Sequence, residues 1–440
     1  MINDDFTVKM LGRCSVASPL KLSSISGDGV FNYITDEERV LYDNSLSNFL
    51  KCKETGEMPI SFEKAGPREK LFFEPAKTKV AIVTCGGLCP GLNNVIRSLV
   101  MELNYRYKIT RVIGIQYGYE GLISKYNHSF IDLTPKMVEN ISLMGGTILG
   151  SSRGNQDVPE MVDTLENNNI NILFCIGGDG TLRGANDLSN EIAARGLKIS
   201  VIGIPKTIDN DIGYIEKSFG FETAFSIARD IIRDAHNEAV GAYNGIALIK
   251  LMGRDSGFIA ANATLSMQEV NYVIIPEMDF ELHGGRGFLK ELRKRLEERR
   301  HALIVVAEGA GQHLFESGDV TKDASGNVKH KDIGLFLKDK IAEEFEHKKF
   351  PYSLKYIDPS YIIRSAAANA NDSKFCSLLA QNAVHGAMAG KTGCVVGYWN
   401  HAFTYLPIPI AVKERKKINL ESELWWNVLE TTGQPVTMKT

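Results

Sequence analysis

Three aspartates lie in two short motifs whose composition suits phosphate chemistry. Asp179 belongs to Gly177-Gly178-Asp179-Gly180-Thr181, and Asp209 and Asp211 belong to the loop Pro205-Lys206-Thr207-Ile208-Asp209-Asn210-Asp211. Glycines let a backbone approach a phosphate group closely, and a carboxylate at such a place either orients Mg²⁺ or removes a proton. Taken singly, each motif is also compatible with a tight turn capped by aspartate. The two together predict a site for phosphoryl chemistry.

The surrounding pattern predicts the elements that position both motifs. The apolar run 172–176 precedes the first motif, a helical pattern covers 182–194, and the apolar run 201–204 precedes the second motif. Strand, glycine-rich turn, helix and strand make a βαβ unit, in which the loops after the strands meet at one edge of the sheet. The three aspartates are therefore expected at the carboxyl ends of neighbouring strands.

Two further features could hold an anionic ligand. The predicted strand Val80–Thr84 enters a glycine-rich turn with Gly86, although this turn matches neither a Walker motif nor a dinucleotide fingerprint. Arg153 lies among small residues, where its guanidinium either reaches a phosphate or simply faces solvent. Both features are compatible with a phosphate cradle, and neither establishes one alone.

The second half of the chain repeats this arrangement. A predicted strand over 245–251 ends in Met252-Gly253-Arg254, and another over 302–307 ends in Glu308. Further on, the stretch 355–364 brings two cations and a tyrosine together. Polar side chains at strand ends in both halves predict a cleft between two domains, where a phosphoryl donor meets a small acceptor.

Length and composition limit the class of protein. The chain has 440 residues, of which 44% are hydrophobic, and 50 Lys and Arg balance 53 Asp and Glu. This length predicts two domains with extensions, and the balanced charge gives no global attraction to nucleic acid or to an anionic membrane. Seven irregularly spaced cysteines indicate reduced thiols, and no apolar stretch approaches the roughly twenty residues of a membrane span. A cytoplasmic location is expected, with no nucleic-acid or membrane partner.

The two ends of the chain look like extensions around this core. Residues 36–50 have the pattern of an amphipathic helix, and so do residues 418–429, which include Trp425 and Trp426. Adjacent tryptophans on a terminal helix pack on the body of the protein or on a partner chain more often than they bind a ligand. The extensions are expected to cover the core or a neighbouring subunit.

The motifs, in their order, resemble those of the 6-phosphofructokinase family. The residues that carry the resemblance are 177–181 with Gly184 and Ala185, 205–211, 252–254 and Glu308. The resemblance covers residues 79–397, and the long N-terminal extension is similar to the long-chain branch, in which ATP-dependent enzymes resemble pyrophosphate-dependent ones. It implies an α/β fold of two Rossmann-like three-layer domains with mainly parallel sheets, an active-site cleft between them, and N- and C-terminal extensions.

The resemblance also implies a domain plan and an activity. A phosphoryl-donor domain is expected at 76–220 and 364–410 and a fructose 6-phosphate domain at 221–363, with extensions at 1–75 and 411–440. The activity is transfer of the γ-phosphoryl group of ATP to the 1-hydroxyl of fructose 6-phosphate, with Mg²⁺, giving fructose 1,6-bisphosphate in glycolysis. An allosteric homo-oligomer is implied, a tetramer or a dimer.

Residue roles follow from the same resemblance. Asp209 matches the catalytic base, Thr207 and Arg254 lie beside the transferring group, and Asp179 and Asp211 match positions near Mg²⁺. Donor-site positions are matched by Gly86, Tyr119, Arg153, Gly180, Thr181, Gly184 and Lys206. Sugar-site positions are matched by Thr207, Asp209, Met252, Gly253, Arg254, Glu308, Lys355, Tyr361 and Arg364.

Three positions depart from the family pattern. Tyr361 stands where the family usually has a histidine, and Lys355 stands where shorter-chain members have an arginine. Gly245 lies near the position from which many members supply an arginine across a subunit interface. The residue that would replace this cross-subunit cation stays unidentified.

The choice of phosphoryl donor depends on two residues, which favour different donors. Gly180 leaves room for a nucleotide where pyrophosphate-dependent enzymes usually carry aspartate, whereas a lysine such as Lys206 is typical of pyrophosphate users. We give Gly180 more weight, because a side chain at position 180 would exclude a nucleotide, whereas a lysine at position 206 excludes neither donor.

Three alternatives are kept. The first is a pyrophosphate-dependent fructose 6-phosphate phosphotransferase. The second is an NAD or lipid kinase, which shares Gly-Gly-Asp-Gly but lacks the 205–211 and 252–254 loops. The third is a catalytically silent subunit that binds phosphosugars, against which the intact Asp209, Thr207 and Arg254 argue.

Overall fold

The computed structural model describes residues 5–315 and 330–439, which fold into two compact units. The first unit consists of the chain up to Thr207, Ile212–Gly220 and Ser365–Glu414. The second consists of Ile208–Asp211, Phe221–Arg364 and the chain from Arg415 onward. The predicted assignment of the phosphoryl donor to one domain and of the sugar phosphate to the other stays a prediction.

The described ranges contain seventeen strands. They are β1 (Lys9–Met10), β2 (Val16–Ala17), β3 (Arg39–Leu41), β4 (Ser61–Lys64), β5 (Lys70–Leu71), β6 (Val80–Thr84), β7 (Val112–Ile115), β8 (Phe130–Asp132), β9 (Ile172–Gly177), β10 (Ser200–Pro205), β11 (Gly245–Leu251), β12 (Tyr272–Ile274), β13 (His301–Ala307), β14 (Ser353–Ile357), β15 (Lys391–Thr392), β16 (Cys394–Trp399) and β17 (Ala402–Pro407).

The same ranges contain twelve α-helices. They are α1 (Leu46–Thr55), α2 (Leu92–Met101), α3 (Val158–Asn167), α4 (Asp179–Ala194), α5 (Phe221–Gly241), α6 (Phe258–Ser266), α7 (Phe288–Arg299), α8 (Ile333–His347), α9 (Ser360–Arg364), α10 (Ala370–Met388), α11 (Ile408–Ala411) and α12 (Glu423–Thr432). None of these helices has both the length and the apolar character needed to cross a membrane.

The first unit is built on a nine-stranded sheet with a parallel centre. Its strand order is β3-β4-β17-β16-β10-β9-β6-β7-β8, and the five strands from β16 to β7 run parallel to one another. Every residue of β6, β9 and β10 is buried, as expected of strands that are covered on both faces. Alternate residues of these strands form one apolar cluster with α3 and α4, and α10 packs against β10 and α2. The predicted α/β architecture is confirmed for this unit.

The second unit has a smaller, wholly parallel sheet. Its strand order is β12-β13-β11-β14, and α5, α6, α7 and α8 pack against it. The apolar run Ile246–Ile249 in β11 is completely buried, which identifies this strand as the centre of the unit's core. The predicted strands over 245–251 and 302–307 are confirmed.

The N-terminal extension joins the first unit's sheet, and here one prediction was wrong. Residues 36–50 were expected to form an amphipathic helix, but β3 lies within this range and α1 begins only at Leu46. Val40 pairs with Phe62 of β4, so tertiary strand pairing overrides the helical pattern in the first part of this range. The Ser45 side chain accepts a hydrogen bond from the Asn48 backbone N–H and thereby starts α1 at that point.

The C-terminal tail packs within the second unit. Helix α12 begins at Glu423, five residues later than the predicted start, and contacts α6 and β12. Trp425 is buried while Trp426 is mostly exposed. Beyond the helix, the Gln434 side chain hydrogen-bonds both the N–H and the carbonyl of Val273, at 2.6 and 3.3 Å, and so occupies part of the free edge of β12. The tail therefore covers its own chain.

Candidate active site

Three loops leave the first unit's sheet at the same edge. Thr84 at the end of β6 is in register with Ile176 of β9, and Gly177 at the end of β9 is in register with Pro205 of β10. The glycine-rich turn after β6, the start of α4 and the Lys206–Thr207 stretch therefore lie side by side. Parallel pairing makes this outcome general, because the carboxyl ends of parallel strands meet at one edge.

Two cations flank the glycine-rich turn after β6. The Lys206 ammonium donates to the Gly87 carbonyl oxygen at 2.7 Å, and the Gly86 N–H donates to the Ser152 carbonyl oxygen at 3.0 Å. A Cβ atom at Gly87 would lie 3.3 Å from the Arg153 guanidinium. The structure thus brings Gly86, Arg153 and Lys206 together, in an arrangement of backbone and cations that can receive a polyanion.

Helix α4 begins beside this turn and leaves one position open. Asp179 is its first residue, and a Cβ atom placed on the next residue, Gly180, would meet no atom within 4 Å. The Asp179 carboxylate lies 3.7 Å from the Arg183 guanidinium, one helical turn further on. Free N–H groups at a helix start attract anions, so this end of α4 is a second element of a phosphate site.

Three of the predicted donor-site residues form the packing behind the start of α4. Tyr119 is buried, and its hydroxyl donates to the Thr181 carbonyl oxygen at 2.7 Å. A Cβ atom at Gly184 would lie 2.7 Å from the Tyr119 ring, which explains the glycine. Thr181 is buried as well. In this structure Tyr119, Thr181 and Gly184 position the helix, and their direct contact with a donor stays a prediction.

The second unit presents a similar edge. Leu251 at the end of β11 is in register with Ala307 at the end of β13, and the Glu308 N–H donates to the Leu251 carbonyl oxygen at 2.9 Å. Met252 is buried, and Gly253 has a φ of +131°, which favours glycine. A Cβ atom at Gly309 would collide with the Arg254 carbonyl oxygen, so the two loops touch through their backbones. This close contact fixes Glu308 relative to Arg254.

The loop Ile208–Asp211 belongs to the same unit and lies against the end of β11. The Arg254 N–H donates to Asp209 Oδ2 at 3.4 Å, and the Ser256 hydroxyl donates to the Asp209 carbonyl oxygen at 3.3 Å. Between the two aspartates, Asn210 has a φ of +55°. Asparagine tolerates this left-handed conformation better than most residues, which explains how the loop turns within three residues.

Asp209 has the electrostatics of a general base. Burial raises the pKa of its carboxyl group to about 7, and the negative charges of Asp211 and Glu308 act in the same direction. The Arg364 guanidinium and the Arg254 backbone N–H oppose this shift. A carboxyl group whose pKa lies near neutrality suits proton removal, because it is both available as a base and basic enough.

The other predicted sugar-site residues are distributed unevenly around this edge. The Arg364 guanidinium lies 3.8 Å from the Glu308 carboxylate, so these two residues are brought together. Tyr361 lies on α9 with a largely exposed side chain. Lys355 is exposed in the edge strand β14 and pairs with Ala247, which lies about 13 Å along β11 from its end at Leu251. The structure thus groups Asp209, Arg254, Glu308 and Arg364 and leaves Lys355 away from them.

Two cations at this edge were missed by sequence reasoning. The Lys250 ammonium lies 2.6 Å from Asp332 and 3.0 Å from Asp358, which precedes α9. Arg415, from the C-terminal extension, contacts both Asp211 and Asp255. A lysine inside an otherwise apolar strand was a visible signal for Lys250. The basic run 413–417 was the corresponding signal for Arg415, but nothing in the sequence indicated its partners.

The carboxylates suit a metal ion that is bound largely through a substrate. No group of three His, Cys, Asp or Glu side chains in the residues the structure describes could hold a metal ion by itself. Mg²⁺ usually takes one or two carboxylates together with phosphate oxygens and water, so it does not need such a group. Asp179 at the start of α4 lies near Arg183, and Asp211 in the loop 208–211 lies near Arg415. A metal-binding role for either carboxylate stays a prediction.

Known proteins resemble this chain in both sequence and fold. A family model described as Phosphofructokinase matches residues 79–387. An ATP-dependent 6-phosphofructokinase of Borreliella burgdorferi is 48% identical over 445 residues, covering 99% of this chain and 98% of that protein. One from Amycolatopsis methanolica is 44% identical, covering 98% and 95%.

Among solved structures, the pyrophosphate-dependent phosphofructokinase of Marinobacter aquaeolei matches with a TM-score of 0.68. Its sequence is 18% identical, and the match covers 81% of this chain and 91% of that one. This likeness shows a shared fold. The two relatives and the family model show that the amino-acid sequence is similar as well. The chain belongs to the phosphofructokinase family.

Proposed function

We propose that the protein transfers the γ-phosphoryl group of ATP to the 1-hydroxyl of fructose 6-phosphate and thereby forms fructose 1,6-bisphosphate in glycolysis. The observation that carries this proposal is the carboxylate of Asp209, which accepts the Arg254 backbone N–H and whose pKa is raised to about 7 despite the opposing charge of Arg364. Removal of a sugar hydroxyl proton needs a base of this kind, and the incoming phosphoryl group needs the cations.

The remaining residues take roles that follow from their chemistry. Asp209 accepts the proton of the 1-hydroxyl, and Arg254 and Thr207 bind the phosphoryl group in transfer. Arg364, together with Met252, Gly253 and Glu308, positions the sugar phosphate. Gly86, Arg153, Lys206 and the start of α4 hold the phosphate chain of the donor. Mg²⁺, oriented by Asp179 with support from Asp211, would neutralise charge on that chain.

ATP is the proposed donor because position 180 is open. A side chain there would enter empty space beside the start of α4. We infer that the α-phosphate and ribose of a nucleotide use this space. Relatives that are 44 to 48% identical along nearly their whole length are named ATP-dependent. Lys206 already contacts the Gly87 carbonyl in the glycine-rich turn, so its presence does not require pyrophosphate.

The proposal extends to assembly and location. A cytoplasmic homotetramer, or else a dimer, under allosteric control is expected from the family. Exposed apolar side chains on α1, among them Leu46 and Phe49, agree with a surface that another subunit covers. Fructose 6-phosphate and ATP are the proposed small-molecule partners.

A coupled assay tests the function and the donor together. Purified protein is given fructose 6-phosphate and Mg²⁺ with either ATP or pyrophosphate, and fructose 1,6-bisphosphate is measured. We expect fast turnover with ATP and slow turnover with pyrophosphate. No product with either donor would overturn the proposed reaction, while faster turnover with pyrophosphate would overturn only the choice of donor.

A further inference from the structure

Arg415, from the C-terminal extension, connects the loop 208–211 to the residues that follow β11. The Arg415 guanidinium lies 3.4 Å from Asp211 Oδ2 and forms a close ion pair with Asp255. Asp255 Oδ2 in turn lies 3.8 Å from Arg254 Nε, and the Arg254 N–H donates to Asp209. These contacts connect Arg415 to Arg254 and, through the Arg254 N–H, to Asp209.

The backbone next to Arg415 is fastened at the same place. The Lys416 N–H donates to the Asp211 carbonyl oxygen at 2.7 Å. The Ile418 N–H donates to Glu277 Oε1 at 2.8 Å, and the same oxygen accepts the Gly257 N–H at 3.1 Å. The Arg415 side chain and the Lys416 and Ile418 backbone N–H groups thus hold the loop 208–211 on one side and the loop that follows β11 on the other.

The charges explain why a cation is needed between these loops. Asp211 is buried and Asp255 is about one-third exposed, so water screens their mutual repulsion poorly. Arginine suits this position because its planar fork can serve two carboxylates at once. Without it, both carboxylates would lose a charge-assisted partner and the two loops would tend to separate.

We propose that Arg415 is a positioning residue for phosphoryl transfer, which holds the Asp209 loop against Arg254 by bridging Asp211 and Asp255. This inference rests on the proposed function. It assigns a role in the chemical step to the C-terminal extension, a segment that carries none of the motif residues. Arg415 acts through its partners and needs no contact with the substrate.

The test compares Arg415→Gln with Lys417→Gln, which removes the same charge from an exposed side chain two residues away. Steady-state kinetics with ATP and fructose 6-phosphate are combined with thermal unfolding. We expect Arg415→Gln to lower kcat by about 10- to 100-fold, the usual effect of misplacing reacting groups by about an ångström. The KM for ATP should change little, and any fall in the unfolding midpoint should leave the protein folded at the temperature of the assay. Lys417→Gln should match the wild type.

Two further variants separate positioning from folding. Arg415→Lys keeps the charge but not the fork, and should recover part of the lost kcat even if Arg415→Gln folds poorly. The double variant Arg415→Gln with Asp255→Asn should lose less than the product of the single losses, because both residues belong to one bridge.

Several outcomes would overturn the inference. They are an unchanged kcat in Arg415→Gln, equal losses in Arg415→Gln and Lys417→Gln, or strictly multiplicative losses in the double variant. An inactive wild type would instead refute the proposed function, so the two failures are distinguishable.

Discussion

At the scale of single residues, the burial and the charged neighbours of Asp209 suit its carboxylate to act as a base. Asparagine has the same shape and keeps an oxygen for the Arg254 N–H, but it cannot accept the sugar proton. We expect Asp209→Asn to lower kcat by about 10²- to 10⁴-fold, with the KM for fructose 6-phosphate broadly unchanged. Asp234→Asn, on an exposed position of α5, is the matched control. Near-normal turnover in the Asp209 variant would refute its role as base.

The raised pKa of Asp209 predicts a pH dependence. The base works when it is deprotonated, so kcat/KM for fructose 6-phosphate should rise with pH and level off above its pKa of about 7. Glu308→Gln removes a negative charge that raises this pKa, and should therefore move the rising limb to lower pH. The shift separates Asp209 from the ionisation of the sugar phosphate itself. If the rising limb of kcat/KM does not move in Glu308→Gln, the titrating group is not Asp209.

Gly180 allows a test of the donor without damage to the fold. Its Cβ position is open, and an acidic side chain in the first turn of α4 agrees with the helix dipole, so Gly180→Asp should fold normally. It should nevertheless lose most ATP activity, because the carboxylate would face the phosphate chain of the nucleotide. Gly180→Ala adds bulk without charge and should lose less. Full ATP activity in Gly180→Asp would place the nucleotide elsewhere.

At the scale of elements, the contact between α10 and Tyr107, six residues beyond the end of α2, predicts sensitivity to acid. His385 Nδ1 lies 2.8 Å from the Tyr107 hydroxyl, and burial together with Arg68 and Arg106 lowers the pKa of His385 to about 3. Between that value and the ordinary pKa of 6.5, the unfolded chain binds one proton more than the folded chain does. Stability that is present above pH 6.5 is therefore lost as the pH falls.

The variant His385→Asn isolates this effect, because it keeps a hydrogen-bond acceptor for Tyr107 but does not titrate. Between pH 6.5 and 5, the free energy of unfolding should fall in both proteins, and the fall should be up to about 2 kcal/mol larger in the wild type than in His385→Asn. Urea unfolding at both pH values measures the difference. His401→Asn, at an exposed turn, should behave like the wild type. An equal loss in all three proteins would show that His385 is not responsible.

At the scale of the whole molecule, the extensions predict an assembly. The C-terminal tail packs on its own unit, whereas α1 of the N-terminal extension has no buried residue and exposes Leu46, Phe49 and Leu50. Apolar surface of this kind is usually covered in a symmetric oligomer. Light scattering of the active enzyme should give the mass of a tetramer or a dimer. A stable monomer with full activity would contradict this prediction.

The sequence determined the features that depend on neighbours along the chain. Buried parallel strands read as continuous apolar runs, and the polar residues that follow them had to come to the carboxyl edges of the sheets. For this reason the strand ends that carry Gly86, Lys206, Arg254 and Glu308 were predictable, and so was the membership in the family. The parallel centre of the first unit's sheet and the parallel sheet of the second unit followed from the same alternation of strands and helices.

Only the tertiary structure decided the features that depend on distance in space. The pairing of Val40 with Phe62 replaced a helical pattern by a strand, and the burial of Tyr119 gave a predicted ligand contact a role in packing. The pKa of Asp209 depends on burial and on charges from Glu308 and Arg364, and the bridge from Arg415 joins loops far apart in sequence. Burial and Coulomb energies act through space, so local sequence patterns do not contain them.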